Sequence, residues 1–473
     1  MPGGAGLVRT LSLIAVLSAG GCRSDRITKP PPPPPDTTPP WVQVLSPSDT
    51  LYDLNADGLV DVSLTWRDSA GAIDPGSARV RSLRPLNGPA DTTSNLVHIW
   101  RLVRVDTAGL LLRETVDNLL PDGRNQLEVS VADTAGNRFT DTLTFDLPHA
   151  ALSTTIPTGA GSVSFPEDIV IDSAGRRGYM TAGTALLVFD PESLRVVALI
   201  PSMGSDLGDV VLDEARGAAY VGEGRVEKYD LRTNTYVEEV PGTYGTQGLA
   251  FSRANSQLLY AGEAFAGYLG YVDVVANAHV DEMVIPHPYN PEEFIPKLAV
   301  LAGDTKLYMA RYWQGGILVI DPRAKQILRH VETVGTSPFY ATQFVLSRND
   351  GHLYIALRDA DPRGVADLDT FSDSIVRVLD LSEYVPQCLQ LSPSQRRLFL
   401  TTTPRDSQVP AINVLIDVQR WAVIQFFYQP APPGVLRIDG PIAFRPDGKL
   451  FFVARTLGHT YFIDVYLNRE PKA

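Results

Sequence analysis

Four arginines each follow an apolar run that contains an aromatic residue: Arg311 in MARYW, Arg358 in IALRD, Arg405 in TTTPRD and Arg455 in VARTL. Gathered on one rim, their guanidinium forks would hold a carboxylate or phosphate bidentately, with Tyr312 and Trp313 offering stacking surface beside Arg311. The same arginines have a plainer use as partners of nearby acids such as Asp359 and Asp406. The matching places earlier in the chain hold Gly183, Glu223 and Glu263, so such a rim would be basic on one side and acidic on the other.

A second set is acidic. Glu167, Asp209 and Asp439 precede apolar runs and would line a shared axis, where paired carboxylates can support metal-assisted hydrolysis of a lactone or glycoside. The matching positions elsewhere, Gln247, Lys297 and Gln343, do not complete a metal set. In DLNADGLVD, Asp53, Asn55, Asp57 and Asp61 alternate around Gly58, the spacing with which oxygen ligands wrap a calcium ion. Leu64 stands where a glutamate would close that coordination sphere, so another loop would have to supply the missing oxygens. The competing reading is an Asx-rich turn. A calcium held here would be structural, the one cofactor the residues suggest.

The seven histidines share no common spacing, which argues against a histidine metal cluster. Cys388, in PQCLQLS, reads as a buried small hydrophobe. No nucleophile elbow, phosphate-cradling glycine loop or HExxH occurs. Catalysis is therefore the minor reading.

The elements that must carry these residues are repeated. An apolar run, a turn such as SAGR, RANSQ, RNDG or RPDG, and a second apolar run recur seven times, with an aromatic marker at Tyr179, Tyr220, Tyr260, Tyr308, Tyr354, Phe399 and Phe451. A third run then closes on Asp190, Asp230, Asp273, Asp321, Asp380, Asp417 and Asp464, a mean spacing of about 46 residues. Units of this length with four strands each are β-propeller blades, and seven marks predict seven blades. The last repeat has only three clear strands. ALSTTIP, residues 151–157, is expected to supply its fourth and so close the ring. The style of FPEDIVIDSAGRRGYM and LLVFDPESLRVVALIP resembles the YVTN-type seven-bladed propellers throughout residues 149–473. That family includes envelope proteins and is structurally akin to lactonases, but a shared fold does not carry an activity with it.

Residues 41–148 alternate apolar and polar in short runs such as VDVSLTW and NQLEVSVAD, the pattern of a β-sandwich. DTTPPWVQVLSP and VSVADTAGNRFTDTLTF resemble bacterial immunoglobulin-like domains. The whole is thus expected to be all-β: an immunoglobulin-like β-sandwich followed by a seven-bladed propeller.

Ahead of it, Arg9 and the apolar run Leu11 to Leu17 lead through small residues to Cys22, the layout of a secretory signal over residues 1–21. The segment resembles a bacterial lipoprotein signal, which implies lipidation of Cys22 and attachment to a membrane. Arg23 follows, not the aspartate that by this resemblance retains a lipoprotein at the inner membrane, so an outer-membrane envelope location is expected. Residues 22–40 contain six consecutive prolines, a stiff extended spacer. With a net charge of −13, nucleic acid is an unsuitable main partner. The expected role is a non-enzymatic binding or scaffolding platform for an envelope protein, a polysaccharide or an anionic small molecule. The alternatives are a lactonase-like hydrolase and a structural surface-array protein.

Overall fold

Period-two alternation makes strands almost throughout this chain. The computed structural model describes residues 34–47, 58–69, 71–86, 94–161, 166–204, 207–263, 267–285, 297–310, 315–334, 337–404, 412–428 and 437–470. The N-terminal unit consists of β1 (Trp41–Ser46), β2 (Asp61–Arg67), β3 (Ile73–Ser82), β4 (Arg101–Asp106), β5 (Gly109–Arg113), β6 (Gly123–Asp133) and β7 (Arg138–Leu147). They form two antiparallel sheets, in the orders β1-β2-β5-β4 and β3-β6-β7. Val62, Leu64 and Trp66 of β2 alternate inward and share one core with Val129 and Val131 of β6 and Phe145 of β7. The core tryptophans keep their polar ends satisfied: Trp66 Nε1 donates to the Asp106 carbonyl at 3.0 Å and Trp100 Nε1 to that of Asn118 at 2.9 Å.

Beyond this unit the described strands form seven four-stranded antiparallel sheets and one short two-stranded ribbon, Thr333–Val334 with Ser337–Pro338. The first comprises Ile169–Ile171, Gly178–Ala182, Ala185–Asp190 and Arg195–Pro201; the next five occupy 210–239, 246–284, 298–331, 341–380 and 384–428. The seventh takes three strands from 437–468 and its fourth from β8 (Ala150–Pro157), which pairs with Thr460–Asn468. Innermost strands of successive sheets touch in turn, and that of the seventh meets that of the first. The ring is a β-propeller, closed by the strand that ALSTTIP supplies.

Burial follows position in the blade. Middle strands are covered on both faces by neighbouring blades, so Gly178–Ala182 and Leu307–Ala310 are buried at every residue, whereas the outermost strand Arg195–Pro201 largely alternates. All seven aromatic markers are buried between blades. Some also tie blades by hydrogen bonds: the Tyr260 hydroxyl donates to Asp304 at 2.9 Å and that of Tyr308 to Asp373 at 2.7 Å.

The closing aspartates cap the turn into the outermost strand. Asp190 accepts from the amides of Glu192 and Ser193, Asp230 from Arg232 and Thr233, and Asp273 from Val275 and Ala276. Four residues after the aspartate the backbone takes a positive φ, at Leu194, Asn234, Asn277, Lys325, Asp373 and Trp421. By this geometry the capping aspartate of blade five is Asp369, which accepts from the Ser372 amide at 2.7 Å. Asp380, the residue singled out by spacing, ends that blade's fourth strand instead. In blade seven the fourth strand is β8, so Asp464 has no such turn to cap. It accepts from Thr155 Oγ1 at 2.7 Å and from Arg455 at 3.1 Å.

Candidate functional site

The innermost strands bring their leading residues to the axis. Lys297, just before Leu298–Val300, reaches Asp209 Oδ1 at 2.8 Å and Asp168 Oδ2 at 3.2 Å, with all three side chains largely buried. The two carboxylates also lace blade to blade: Asp168 Oδ2 accepts from the Val210 amide at 3.2 Å and Asp209 Oδ2 from that of Leu249 at 3.1 Å. Gln343 repeats the device without charge, its Oε1 accepting from the Leu389 amide at 2.8 Å. Burial pushes the Asp209 carboxyl up to about 7, Lys297 pulls it back and Asp168 adds to the rise. Burial alone would lower the Lys297 ammonium, but the two aspartates outweigh it and hold it above the usual lysine range.

This charged cluster, through Asp168 and Lys297, lines one end of an axial cavity of about 510 Å³. Its walls are apolar, among them Val210, Leu249, Leu298, Phe344 and Leu389, and its far end carries Arg348 and the ion-paired Arg253 and Asp350. Burial pushes the Cys388 thiol up to about 12, and the Glu167 charge adds to that rise. A thiol so disposed stays protonated and is no nucleophile.

Of the three acids read from the sequence as axial, Asp209 is there. Asp439 is buried and accepts from Asn413 Nδ2 of blade six at 2.9 Å, so it ties two blades together. Glu167 is exposed, and the axial carboxylate of blade one is its neighbour Asp168. The signal for Asp168 lay in aligning EDIVID with GDVVLD, which pairs Asp168 with Asp209.

Among the rim arginines, Arg311 and Arg405 lie outside the described residues, as do Tyr312 and Trp313. Arg358 follows the second strand of blade five, half-exposed, with Nε 3.9 Å from Asp359. Arg455 sits within the strand Leu450–Leu457, its guanidinium 4.8 Å from the Phe462 ring and bonded to Asp464. The turn of that hairpin is Gly458–His459, so Arg455 is committed inside the blade.

Glu263, expected on the acidic side of the rim, is buried, and its Oε1 lies 3.9 Å from His279 Nε2 with neither atom hydrogen-bonded. Burial pushes its carboxyl up to about 7. The folded state therefore binds this proton more tightly than the unfolded chain does, and ionising Glu263 costs stability as pH rises from about 4.5 to about 7. Glu263→Gln, which keeps the neutral form at every pH, is expected to raise the melting temperature by about 2 °C at pH 8 and to leave it unchanged at pH 4.5. Thermal unfolding at the two pH values checks this; an equal effect at both would assign the change to packing.

In the N-terminal unit, Asp53, Asn55 and Asp57 and the lipidation candidate Cys22 lie outside the described residues. Asp61 is on β2, and both of its oxygens receive Arg113, Nε and Nη2 each at 2.7 Å. The carboxylates that this unit does bring together are Asp36, Asp68 and Asp133, with oxygens within 4.8 Å of one another. The buried Oδ2 of Asp36 has no hydrogen-bond partner, and a Cβ at Gly71 would come within 2.9 Å of it. Burial opposes ionisation of Asp133, but hydrogen bonds from Asn137 outweigh it and hold its pKa below the usual carboxylate range. Three acids from DTTPP, WRDSAG and VADTAGN thus converge as hard oxygen donors suited to calcium.

No family model matches the chain, and no curated protein matches it. Among solved structures, the β-propeller domain of Cps50 (Swd1) from Myceliophteria thermophila aligns with a TM-score of 0.53, covering 67% of this chain and 99% of that one at 11% identity. At that identity the likeness shows the fold alone. No helix among the described residues is long and apolar enough to cross a membrane.

Proposed function

We propose that this chain is a non-enzymatic, lipid-anchored envelope protein that presents a YVTN-type propeller, residues 149–473, as a binding or scaffolding platform. In this reading Cys22 carries the lipid, the prolines of residues 22–40 hold the folded part off an outer membrane, and residues 41–148 are an immunoglobulin-like domain. The ligand is an envelope protein, a polysaccharide or an anionic small molecule.

One observation carries the preference for binding over hydrolysis. The axial carboxylates Asp168 and Asp209 are bound to Lys297 and to strand amides, so their oxygens already serve the ring rather than a water or a metal. A panel of sugar acids, phosphates, cell-wall fragments and lactones tests the reading by thermal shift. A shift with an anionic ligand, lost in Arg358→Ala, is expected for a rim site. Turnover of a lactone with added divalent metal would overturn the non-enzymatic reading.

A surface-array role draws support from a different observation. Outermost strands expose apolar residues, with Val197 and Leu199 in blade one and Val280 and Val284 in blade three. Concentration-dependent sedimentation distinguishes it, since an array protein self-associates without a ligand.

Calcium belongs to the same proposal. Asp36, Asp68 and Asp133 would hold it, and the ion would relieve the repulsion of three close carboxylates. Millimolar calcium is expected to raise the melting temperature by about 3 °C over chelator, an increment that Asp133→Asn removes. Equal melting with calcium and with chelator would exclude a structural ion here.

A further inference from the structure

We propose that the N-terminal unit is a clasp that keeps the propeller ring closed, over and above any part it plays in spacing the ring from a membrane. The ring has one seam without chain continuity inside the blade, the pairing of β8 with the strand Thr460–Asn468. Both sides of that seam are gripped by the N-terminal unit.

On the C-terminal side, Arg469 follows the last strand directly and leaves the propeller to enter the N-terminal unit. It is completely buried there. Its Nη1 donates to Glu114 Oε1 at 3.0 Å and to the Leu120 carbonyl at 3.1 Å; its Nη2 donates to Glu114 Oε2 at 2.7 Å and to the Gly58 carbonyl at 2.7 Å. Glu114 is equally buried and also accepts from the amides of Val60 and Leu120. A guanidinium with this many acceptors is fixed in position and orientation.

On the N-terminal side, only residues 148 and 149 separate β7 from β8. The His149 ring and Arg397 of blade six both bond Asp122, an acid of the N-terminal unit. The backbone completes the grip: the Asp122 amide donates to the Arg469 carbonyl and the Arg469 amide to the His149 carbonyl, each at 3.0 Å. Asp122 therefore touches both ends of the seam. Gly58 packs over it as well, close enough that a Cβ would meet Leu467 Cδ1 at 3.1 Å and the Leu152 carbonyl at 3.2 Å. Leu119 of the N-terminal unit is buried in the same apolar cluster as Ile156 of β8 and Ile463 of the last strand.

Separating the strands of the seam therefore requires removing Arg469 or His149 from the N-terminal unit, so opening of the ring and release of that unit are one event. Hydrogen exchange of the full chain, read by mass spectrometry, tests this. In Glu114→Gln, peptides covering residues 150–157 and 460–468 are expected to exchange at least about tenfold faster than in the parent, with residues 258–284 of blade three changing less than about twofold. Asp122→Asn, a milder change that keeps the shape of the side chain, is expected to act in the same direction and decides the matter if Glu114→Gln does not fold. Faster exchange confined to residues 41–147, with the seam as protected as in the parent, would overturn the proposal. So would uniform acceleration across all blades in Asp122→Asn.

Discussion

Replacing Glu114 with alanine is expected to destabilise the chain by about 3–5 kcal/mol, measured by denaturant unfolding. The physical reason is that Arg469, with none of its side chain exposed, would lose its counter-charge while remaining enclosed by the Leu120 and Gly58 carbonyls. Arg469→Met, which strands Glu114 in turn, is expected to cost a similar amount. Removing both charges, as Glu114→Leu with Arg469→Met, is expected to recover most of the loss, because a buried ion pair is worth little more than an apolar pair of like volume. The double-mutant cycle, with Glu114→Leu and Arg469→Met as its single variants, should then show a coupling of at least about 4 kcal/mol, since two losses of about 3–5 kcal/mol collapse to a small one. A loss below about 1 kcal/mol for either single variant would mean that water reaches the pair, and with it the junction between the N-terminal unit and the ring. The unfolding transition of the parent should be single, since the two parts share Leu119 and Arg469 as core residues.

That junction was not legible in the sequence, and the reason is physical. Glu114 and Arg469 are 355 residues apart, and each reads alone as an ordinary surface charge. The same holds for Asp36, Asp68 and Asp133, whose convergence depends on how two sheets stack. The propeller was legible because a blade is a local object. Its aromatic marker, its Asx-capped turn and its two hairpins all fall within one repeat, so spacing alone reveals them. Where a repeat departs from the mean, the reading slipped. Blade five ends both its third and its fourth strand on an aspartate, and spacing alone picked Asp380 over Asp369. The hairpin of blade seven runs on to Gly458, which leaves Arg455 within a strand instead of on the rim. At the axis the slip was a single residue, Glu167 for Asp168. Both residues precede the strand Ile169–Ile171; the charge of Glu167 still reaches Cys388, but Asp168 is the one that bonds Lys297.

The axial triad gives the other large effect. Lys297→Met is expected to cost about 3–5 kcal/mol at pH 8, because it leaves Asp168 and Asp209 buried beside each other without a cation. The sign of the pH dependence follows from Asp209. Its folded pKa is already raised to about 7, so in the parent its contribution to stability declines as pH climbs from about 4 to about 7. Without Lys297 the attraction that restrains this rise is gone, and the decline becomes steeper and extends to higher pH. At pH 5 the variant can keep Asp209 protonated, and a neutral Asp209 needs no cation beside it. The difference between parent and variant is therefore expected to be largest at pH 8 and to shrink by half or more at pH 5, in paired denaturant titrations. Other acids of the chain titrate alike in both proteins and cancel in that difference. A loss of the same size at both pH values would show that Lys297 acts through the packing of its stem against the channel wall. The axial acids would then hold their charge by other means, and the assignment of the triad as a neutralised structural core would fail.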